Sequence, residues 1–479
     1  MAGDAGPTAG PGRGRRRKPA HAHVHDVLVV GAGPAGSACA YWLAEAGWDV
    51  AVVEKKHFPR EKTCGDGLTP RAVRQLQDMG LEEALDGAHR YTGLRSCGWG
   101  RVLELSWPEH PVFPAYGYTI TRHDLDGIVA ERAAKAGATL HQHTEAVAPI
   151  PVDDTDADEA RAPSAGSARA TIASARSRAR GVSGTGEESA LAGCGGAIVR
   201  DAGSAETTEI RARYVVIADG SNSRIGRSLG SARMRGYPLG MALRGYYRSP
   251  RHDDAFIESH LDVRDADGEA VPGYGWIFPL GDGRVNVGVG LLSTDQRWKG
   301  LNTSRLMEEF VARAPTSWDL SPATSCGPPT GGKLPMSFAV GPHTGPNTVL
   351  IGDASGAINP FNGEGIAYGY ETGRLAAASL GEALGGEGPE ALAGYDQRLS
   401  DFYGDYYRVG RAFVRLVSNP TAMHWCVSVG MRSETFMKEL LRIMANLMRP
   451  VSPGGAEVGY DALVRLAELV PEGVAHTLL

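Results

Sequence analysis

The first strongly patterned stretch of the chain is an uninterrupted apolar run, Val27 to Val30 (VLVV), which reads as a strand buried on both faces. Pro34 to Gly47 follows with helical spacing, a proline in its first turn and a glycine just past its end. Asp49 to Glu54 (DVAVVE) is a second buried strand. Strand, glycine turn, helix and strand in this order open a parallel α/β nucleotide-binding fold. Later segments continue the pattern. Leu125 to Ala136 is helical, Thr139 to Val147 and Tyr214 to Ala218 are strand-like, and the strand Val349 to Gly352 leads to a helix from about Glu364 to Ala383. Residues 236 to 345 change character: YGWIFPL and RVNVGVGLL suit the antiparallel sheet of a second domain. From about 389 onward the spacing is helical again, and Phe413 to Met448 is rich in Met, Phe, Leu, Val and Trp.

Two segments lack such a pattern. Residues 1–25 hold the basic run GRGRRRK and read as a disordered, solvated leader, with contact to anionic lipid as the alternative. Residues 152–195 are dominated by Ala, Ser, Arg, Gly and acids, and read as a disordered surface insertion that has too little apolar area to offset its entropy. The charge-free stretch Val27 to Ala44 after the basic leader looks like an export or spanning segment only superficially. Gly31, Gly33, Pro34, Gly36 and Ser37 break it after four strand-like residues.

Composition narrows the function classes. A length of 479 residues with 42% hydrophobic positions allows two or three domains. The 49 basic and 55 acidic residues leave a net charge of −6, which argues against general nucleic-acid binding, since that needs a basic surface. Six scattered cysteines form no disulfide framework and no CxxC or zinc-ligand spacing, so a reducing, cytoplasmic setting is expected and no metal site is. Glycine is the outlier, 64 of 479 against a usual share of about 7%. An excess without a repeat period must build special backbone sites or fill disordered segments.

The glycines first matter in GAGPAG at 31–36, which follows a strand, opens a helix and has Glu54 at the end of the next strand. Gly31 permits a tight turn, Gly33 lets the backbone approach a pyrophosphate, Gly36 allows close helix packing, and the helix N-terminus favours the anion. Glu54 would accept from ribose hydroxyls and would repel a 2′-phosphate, which favours FAD or NAD over NADP. Two further stretches favour FAD. ADGSNSRIGR at 218–227 and IGDASGAINPFNGEGI at 351–366 resemble the DG and GD motifs of flavoproteins related to para-hydroxybenzoate hydroxylase. That resemblance implies that Asp353 binds the ribityl chain and Arg122 touches the flavin linker, and that Asp219, Ala35, Lys55 and Val147 lie around the cofactor; Arg60 would neutralise a flavin phosphate or simply be solvated. For Asp219 an ordinary turn acid is the alternative. Asn362 to Ile366 turns into a helix, so the backbone N–H groups of Gly363, Gly365 and Ile366 would sit by the flavin's pyrimidine edge and favour its reduced anion.

PREKTCGDGLTPRAV at 59–73 and YGWIFP at 274–279 resemble the geranylgeranyl reductase family, FAD-dependent enzymes that saturate isoprenoid double bonds. The resemblance covers nearly all of 26 to about 450 except the insertion. CGDGLTPRAV and the helical tail are most similar to the members that reduce the polyprenyl side chain of menaquinone. One departure is Val271, with Pro272 beside it, where the family often has proline three residues before the tyrosine. The implied architecture is α/β: a discontinuous Rossmann-like FAD-binding domain (26–90, 115–235, 345–388), an antiparallel-sheet substrate domain (91–114, 236–344) and a C-terminal helical region (389–479). Geranylgeranyl-lipid or chlorophyll-type reductases share this chemistry. A flavin monooxygenase or halogenase shares the fold, although halogenases carry WxWxIP where Tyr274 and Phe278 stand here.

Reducing an isolated alkene requires hydride at one carbon and a proton at the other, with no carbonyl to stabilise charge, so the site must be dry and hold an acid. Tyr274, Trp276 and Phe278 alternate along a strand and would present one aromatic face to an isoprenoid, or simply form core. Cys64 would serve as proton donor or redox-sensitive gate, or be a small packed hydrophobe. The expected partners are a menaquinone or other prenyl lipid and an external electron donor, which the sequence leaves open between a nicotinamide, a ferredoxin and a quinol. A bilayer substrate also implies a peripheral visit to the inner membrane face, with Arg432, Lys438, Arg442 and Arg449 at the rim of the C-terminal helices, unless those helices pack on the protein itself or on a second subunit.

Overall fold

The computed structural model describes residues 23–152, 190–204, 206–293, 300–449 and 453–468. Most of the basic leader and of the expected insertion therefore lies outside the described residues. Val24–Val30 runs through the middle of a mixed sheet, paired in parallel with Val50–Val53 on one side and Thr207–Ile217 on the other. All-apolar runs such as VLVV and VAVV take such places because they have no polar face to turn to water. Thr139–His141 extends the parallel set beyond Val50–Val53, and Thr348–Leu350 pairs in parallel with Thr207–Ile217. An antiparallel ribbon of Gly196–Asp201 and Thr144–Ile150 completes the sheet.

Two sequence expectations change here. Thr139 to Val147 is not one strand. The chain turns at Gln142–His143, with His143 in the left-handed region (φ +56°), so that the two halves join opposite edges of the sheet. Residues 190–195 are not a solvated end of the insertion either. Leu191 and Cys194 are buried; the Leu191 N–H donates to the Thr344 carbonyl (2.9 Å), and the Cys194 N–H to Asn347 Oδ1 (2.9 Å). An averaged composition cannot register two apolar side chains that find a pocket.

The second sheet has the order Thr330–Pro335, Leu239–Arg248, Arg284–Leu292, Gly273–Pro279, Phe256–His260, Gly93–Gly98 and Arg101–Ser106. It is antiparallel except where Phe256–His260 meets Gly93–Gly98. Alternation gives it two apolar faces. Ile277, Val285, Val287, Val289 and Leu291 pack with Phe310 and Trp318 on one side, while Tyr274, Trp276 and Phe278 face the other way, toward the 64–67 loop. The fold is thus mixed α/β, with a nucleotide-binding sheet, a second sheet and a C-terminal helical region, as the sequence pattern implies.

Helices set the geometry of the nucleotide end. Pro34–Glu45 and Ile366–Glu382 pack backbone to backbone: a Cβ on Gly373 would lie 2.5 Å from the Ala35 carbonyl oxygen and 3.0 Å from Cys39 N, and Gly369 lies against Ala35. The contacts step forward together along both helices, so these run parallel and their N-termini open at one end. Pro389–Val417 covers Ile366–Glu382 with a buried row of Tyr395, Leu399, Tyr403 and Tyr407. Gly373→Val should force the two helices apart at a cost of about 1–3 kcal/mol. A lowered urea midpoint checks this, and an unchanged midpoint rejects the close packing.

Candidate flavin site and substrate face

The glycine turn after the first strand is closed by contacts that no side chain would permit. Gly31 has φ +103°, and a Cβ there would lie 2.5 Å from the Ala218 carbonyl oxygen; one on Gly36 would lie 1.9 Å from that of Gly31. Glu54, at the end of the next strand, accepts from Ala32 N (3.1 Å) and Lys56 N (3.0 Å). Its Oε2 is 3.4 Å from Arg60 Nη2, Arg60 Nη1 is 2.9 Å from Asp126 Oδ2, and Asp126 takes both Nε and Nη2 of Arg122. A buried chain Glu54–Arg60–Asp126–Arg122 therefore borders the turn, and Arg60 Nη2 passes 3.9 Å from where a Gly33 Cβ would stand. A guanidinium over a glycine turn at a helix N-terminus is placed to hold a pyrophosphate.

The motif acids meet the same place from the other side. Asp219 Oδ2 accepts from Arg224 N (2.8 Å) and Ile225 N (3.1 Å), capping a short helix, but its buried Oδ1 has no partner. One oxygen thus fills the turn-acid role, and the other is left without a partner among the described residues. Asp353 Oδ1 lies 3.1 Å from the position of a Gly365 Cβ, and Gly352 packs on Ala35, so the GD turn abuts the first helix. Gly363 has φ +76°, and Ile366 begins the second helix. Of the residues singled out in the sequence, Lys55 and Val147 stay apart: both are exposed and neither joins the Glu54–Arg122 chain. The glycine cradle, the paired helix N-termini, Arg60 and the orphaned Asp219 oxygen fit a flavin dinucleotide.

The reacting end is built by the loop from Cys64 to Gly67. Asp66 is buried in the left-handed region (φ +63°) and joins three elements. Its Oδ2 accepts from Tyr246 Oη (2.6 Å) and Asn286 Nδ2 (2.8 Å), and its Oδ1 from Arg122 N (3.2 Å). Asn286 also donates to the Cys64 carbonyl (2.9 Å) and accepts from Trp276 Nε1 (2.9 Å). Gly65 and Gly67 lie against the Phe278 ring, where a Cβ would come within 3.3 and 3.2 Å. Tyr274 Oη donates to the Asn362 carbonyl (2.7 Å), next to Gly363. Cys64, Tyr274 and Trp276 therefore do share one face, opposite the GD turn. Burial pushes the Cys64 thiol up, which keeps it neutral.

Asp66, Tyr246, Asn286 and Glu364 were not singled out in the sequence. Asp66 was visible between two glycines, and Asn286 was the one polar residue inside the apolar run VNVGVGLL, but Tyr246 carried no signal. Asp66 is raised to about 6 because burial penalises its carboxylate more than Tyr246, Arg244 and Asn286 favour it. A native carboxyl with a raised pKa binds its proton more tightly than the unfolded chain does. Its contribution to stability is therefore full below the unfolded value of about 3.9 and is lost as pH rises through about 6. Urea unfolding should show wild type losing stability relative to Asp66→Asn across that window; a constant difference rejects the assignment.

Residues 24–175 match the FAD binding domain family. The chain is 38% identical over 426 residues to a menaquinone reductase of Mycobacterium tuberculosis, spanning 88% of this chain and 91% of that protein. It is 28% identical over 396 residues to a digeranylgeranylglycerophospholipid reductase of Methanopyrus kandleri, spanning 80% and 87%. In fold it is similar to a geranylgeranyl bacteriochlorophyll reductase-like protein of Thermoplasma acidophilum, with a TM-score of 0.65 and 21% identity over 95% of this chain and 98% of that one. FAD is the cofactor. With these relatives and this cradle, the chain belongs to the geranylgeranyl reductase family of FAD-dependent oxidoreductases.

Proposed function

We propose that the protein saturates an isoprene double bond in the polyprenyl side chain of menaquinone. The observation that carries this reading is the similarity to the mycobacterial menaquinone reductase along 88% of the chain. The aromatic face supports it. Bound, reduced FAD supplies hydride; the chain must supply a dry channel, an oriented alkene and a proton. Tyr274 and Trp276 wall the channel, and Cys64 stands at its loop side as a neutral thiol. Phe278 packs against an apolar cluster of Tyr91, Trp107, Met431, Met437 and Leu441, which would have to part to receive prenyl units. Methionine suits that task because it adapts to a flexible ligand.

The substrate's place in the bilayer gives the C-terminal helices a role. Among the described residues no helix is long and apolar enough to cross a membrane. The Pro420–Gly430 helix carries no Asp, Glu, Lys or Arg, yet leaves Trp425 66% and Val429 54% exposed, with Phe436 of Glu434–Met444 beside them at 54%. Arg432 and Lys438 are exposed in the same stretch of chain, Lys438 paired with Glu434 (2.7 Å). Arg442 and Arg449, expected at the same rim, are elsewhere. Arg442 is buried and donates to the Glu109 and Leu447 carbonyls, and Arg449 pairs with Glu457 (3.1 Å). We assign this patch to an anionic bilayer surface, over the apolar cluster that leads to Phe278.

In cells that make menaquinone, mass spectrometry should find a two-mass-unit gain in the quinone only when the protein is present. Unchanged quinone with altered membrane lipids would move the assignment to the lipid reductases. Full burial of each apolar side chain contributes about 1.5–3 kcal/mol. Trp425→Ser, Val429→Ser and Phe436→Ser together should therefore weaken sedimentation of the holoenzyme with phosphatidylglycerol vesicles by at least roughly tenfold. Equal sedimentation of the triple variant would reject the docking surface.

A further inference from the structure

The reduction just proposed lacks an identified acid, and the structure narrows the choice. Asp66 is already engaged by donors on both oxygens, and its raised value of about 6 lies below that of Glu364. Tyr274 Oη already donates to the Asn362 carbonyl. Cys64 is a thiol whose proton is held more tightly by burial. One further carboxyl lies next to this face. Glu364 follows Gly363, which meets the Tyr274 hydroxyl, and its side chain reaches Thr69, two residues past the Cys64–Gly67 loop at the start of the Pro70–Asp78 helix.

The surroundings of Glu364 favour the protonated form. Arg71 Nε pairs with Glu371 Oε1 (2.7 Å), and Tyr403 Oη donates to the other oxygen of Glu371 (2.5 Å). The charged and titratable groups facing Glu364 are Arg71 from Pro70–Asp78, Glu371 and Tyr368 from the Ile366–Glu382 helix that follows it, and Tyr91 from His89–Tyr91. One cation thus stands between two carboxyls and is taken by Glu371. Thr69 Oγ1 donates to Glu364 Oε1, whereas Oε2 is sealed from solvent and has no hydrogen-bonding partner. A carboxylate left so would be costly; a neutral carboxylic acid, although an O–H on Oε2 would also lack an acceptor, costs much less. Burial and the Glu371 charge together raise Glu364 to about 7.

We propose that Glu364 is the general acid of the reduction, delivering its Oε2 proton to the alkene carbon that does not receive hydride. This rests on the prenyl-reductase reading. The balance is simple: the C=C π bond is lost, one new C–H bond takes its hydrogen and electron pair from reduced FAD and the other takes its proton from Glu364, which is left as a carboxylate near Arg71 and is reprotonated from water.

The test uses the FAD-loaded enzyme with a short-chain menaquinone in detergent. General acid catalysis is worth typically 10²–10⁴-fold, so Glu364→Gln should lower kcat by at least about 100-fold with little change in KM. Glu364→Asp should recover part of it, and FAD content and chemical reduction of the flavin should match wild type in both. Wild-type kcat should fall as pH rises through about 7. Independently of turnover, infrared difference spectra of wild type should contain a protonated-carboxyl C=O band at pH 6 that is lost at higher pH with a midpoint near 7 and is missing from Glu364→Gln. The assignment is overturned if Glu364→Gln turns over within threefold of wild type. It is equally overturned if the band is absent at pH 6, which holds even should the Gln variant misfold. Normal turnover in Glu364→Gln with loss in Cys64→Ala would move the role to Cys64. An intact carboxyl band in an enzyme that leaves menaquinone unreduced would instead count against the functional reading and not against the protonated Glu364.

Discussion

The Asp66 carboxylate is the joint on which the reactive end depends. Without it, the loop of Cys64 to Gly67 would keep only main-chain anchors: Asn286 on the Cys64 carbonyl, the Ile120 N–H on the Asp66 carbonyl and the short pairing of Gly67–Leu68 with Gly117–Thr119. Three donors from three different elements converge on it: a phenol from one strand of the second sheet, an amide from another, and a backbone N–H at the start of the Arg122–Lys135 helix. Each bond is formed in a buried setting, where an unmet partner would cost far more than an exposed one. The second sheet is therefore held against the nucleotide-binding sheet at one defined distance. That distance decides whether Tyr274, Trp276 and Phe278 face a reacting ring or an empty interface.

The dinucleotide end relies on the opposite device, the absence of side chains. Gly31 and Gly36 bring backbone against backbone, and Gly369 and Gly373 let two helices touch so that both N-termini open at one end. Aligned helix ends concentrate partial positive charge at one end, where it would favour a phosphate and a reduced flavin. The Glu54–Arg60–Asp126–Arg122 chain then sets the side-chain charges along the same edge. Alternating signs keep each charge partly compensated, so a buried guanidinium can remain available to a phosphate without a large desolvation cost.

Much of this was legible from local pattern. VLVV and VAVV read as interior parallel strands and are, and GAGPAG between strand and helix reads as a tight glycine turn, which it is. The aromatic alternation at 274–278 did put its three rings on one face. Other features were illegible for physical reasons. The turn at His143 is a single left-handed residue inside a stretch with acceptable strand propensity. Leu191 and Cys194 are two apolar residues in a polar window. Arg442 looked like a surface cation because its buried carbonyl partners, Glu109 and Leu447, are met only once the helix has docked.

The sequence by itself determined the elements, the cofactor cradle and the family, because these follow from periodicity, from glycine spacing and from motifs that span a few residues. Only the tertiary structure decided the state of the buried acids. Whether Asp66 is clamped and Glu364 left with a free oxygen depends on Tyr246 and Asn286, 180 and 220 positions from Asp66, and on Thr69, 295 positions from Glu364, with Arg71 and Glu371 beside them. Protonation is fixed by burial and by the charges within a few ångströms, and neither quantity exists until the sheets and helices have closed around the group.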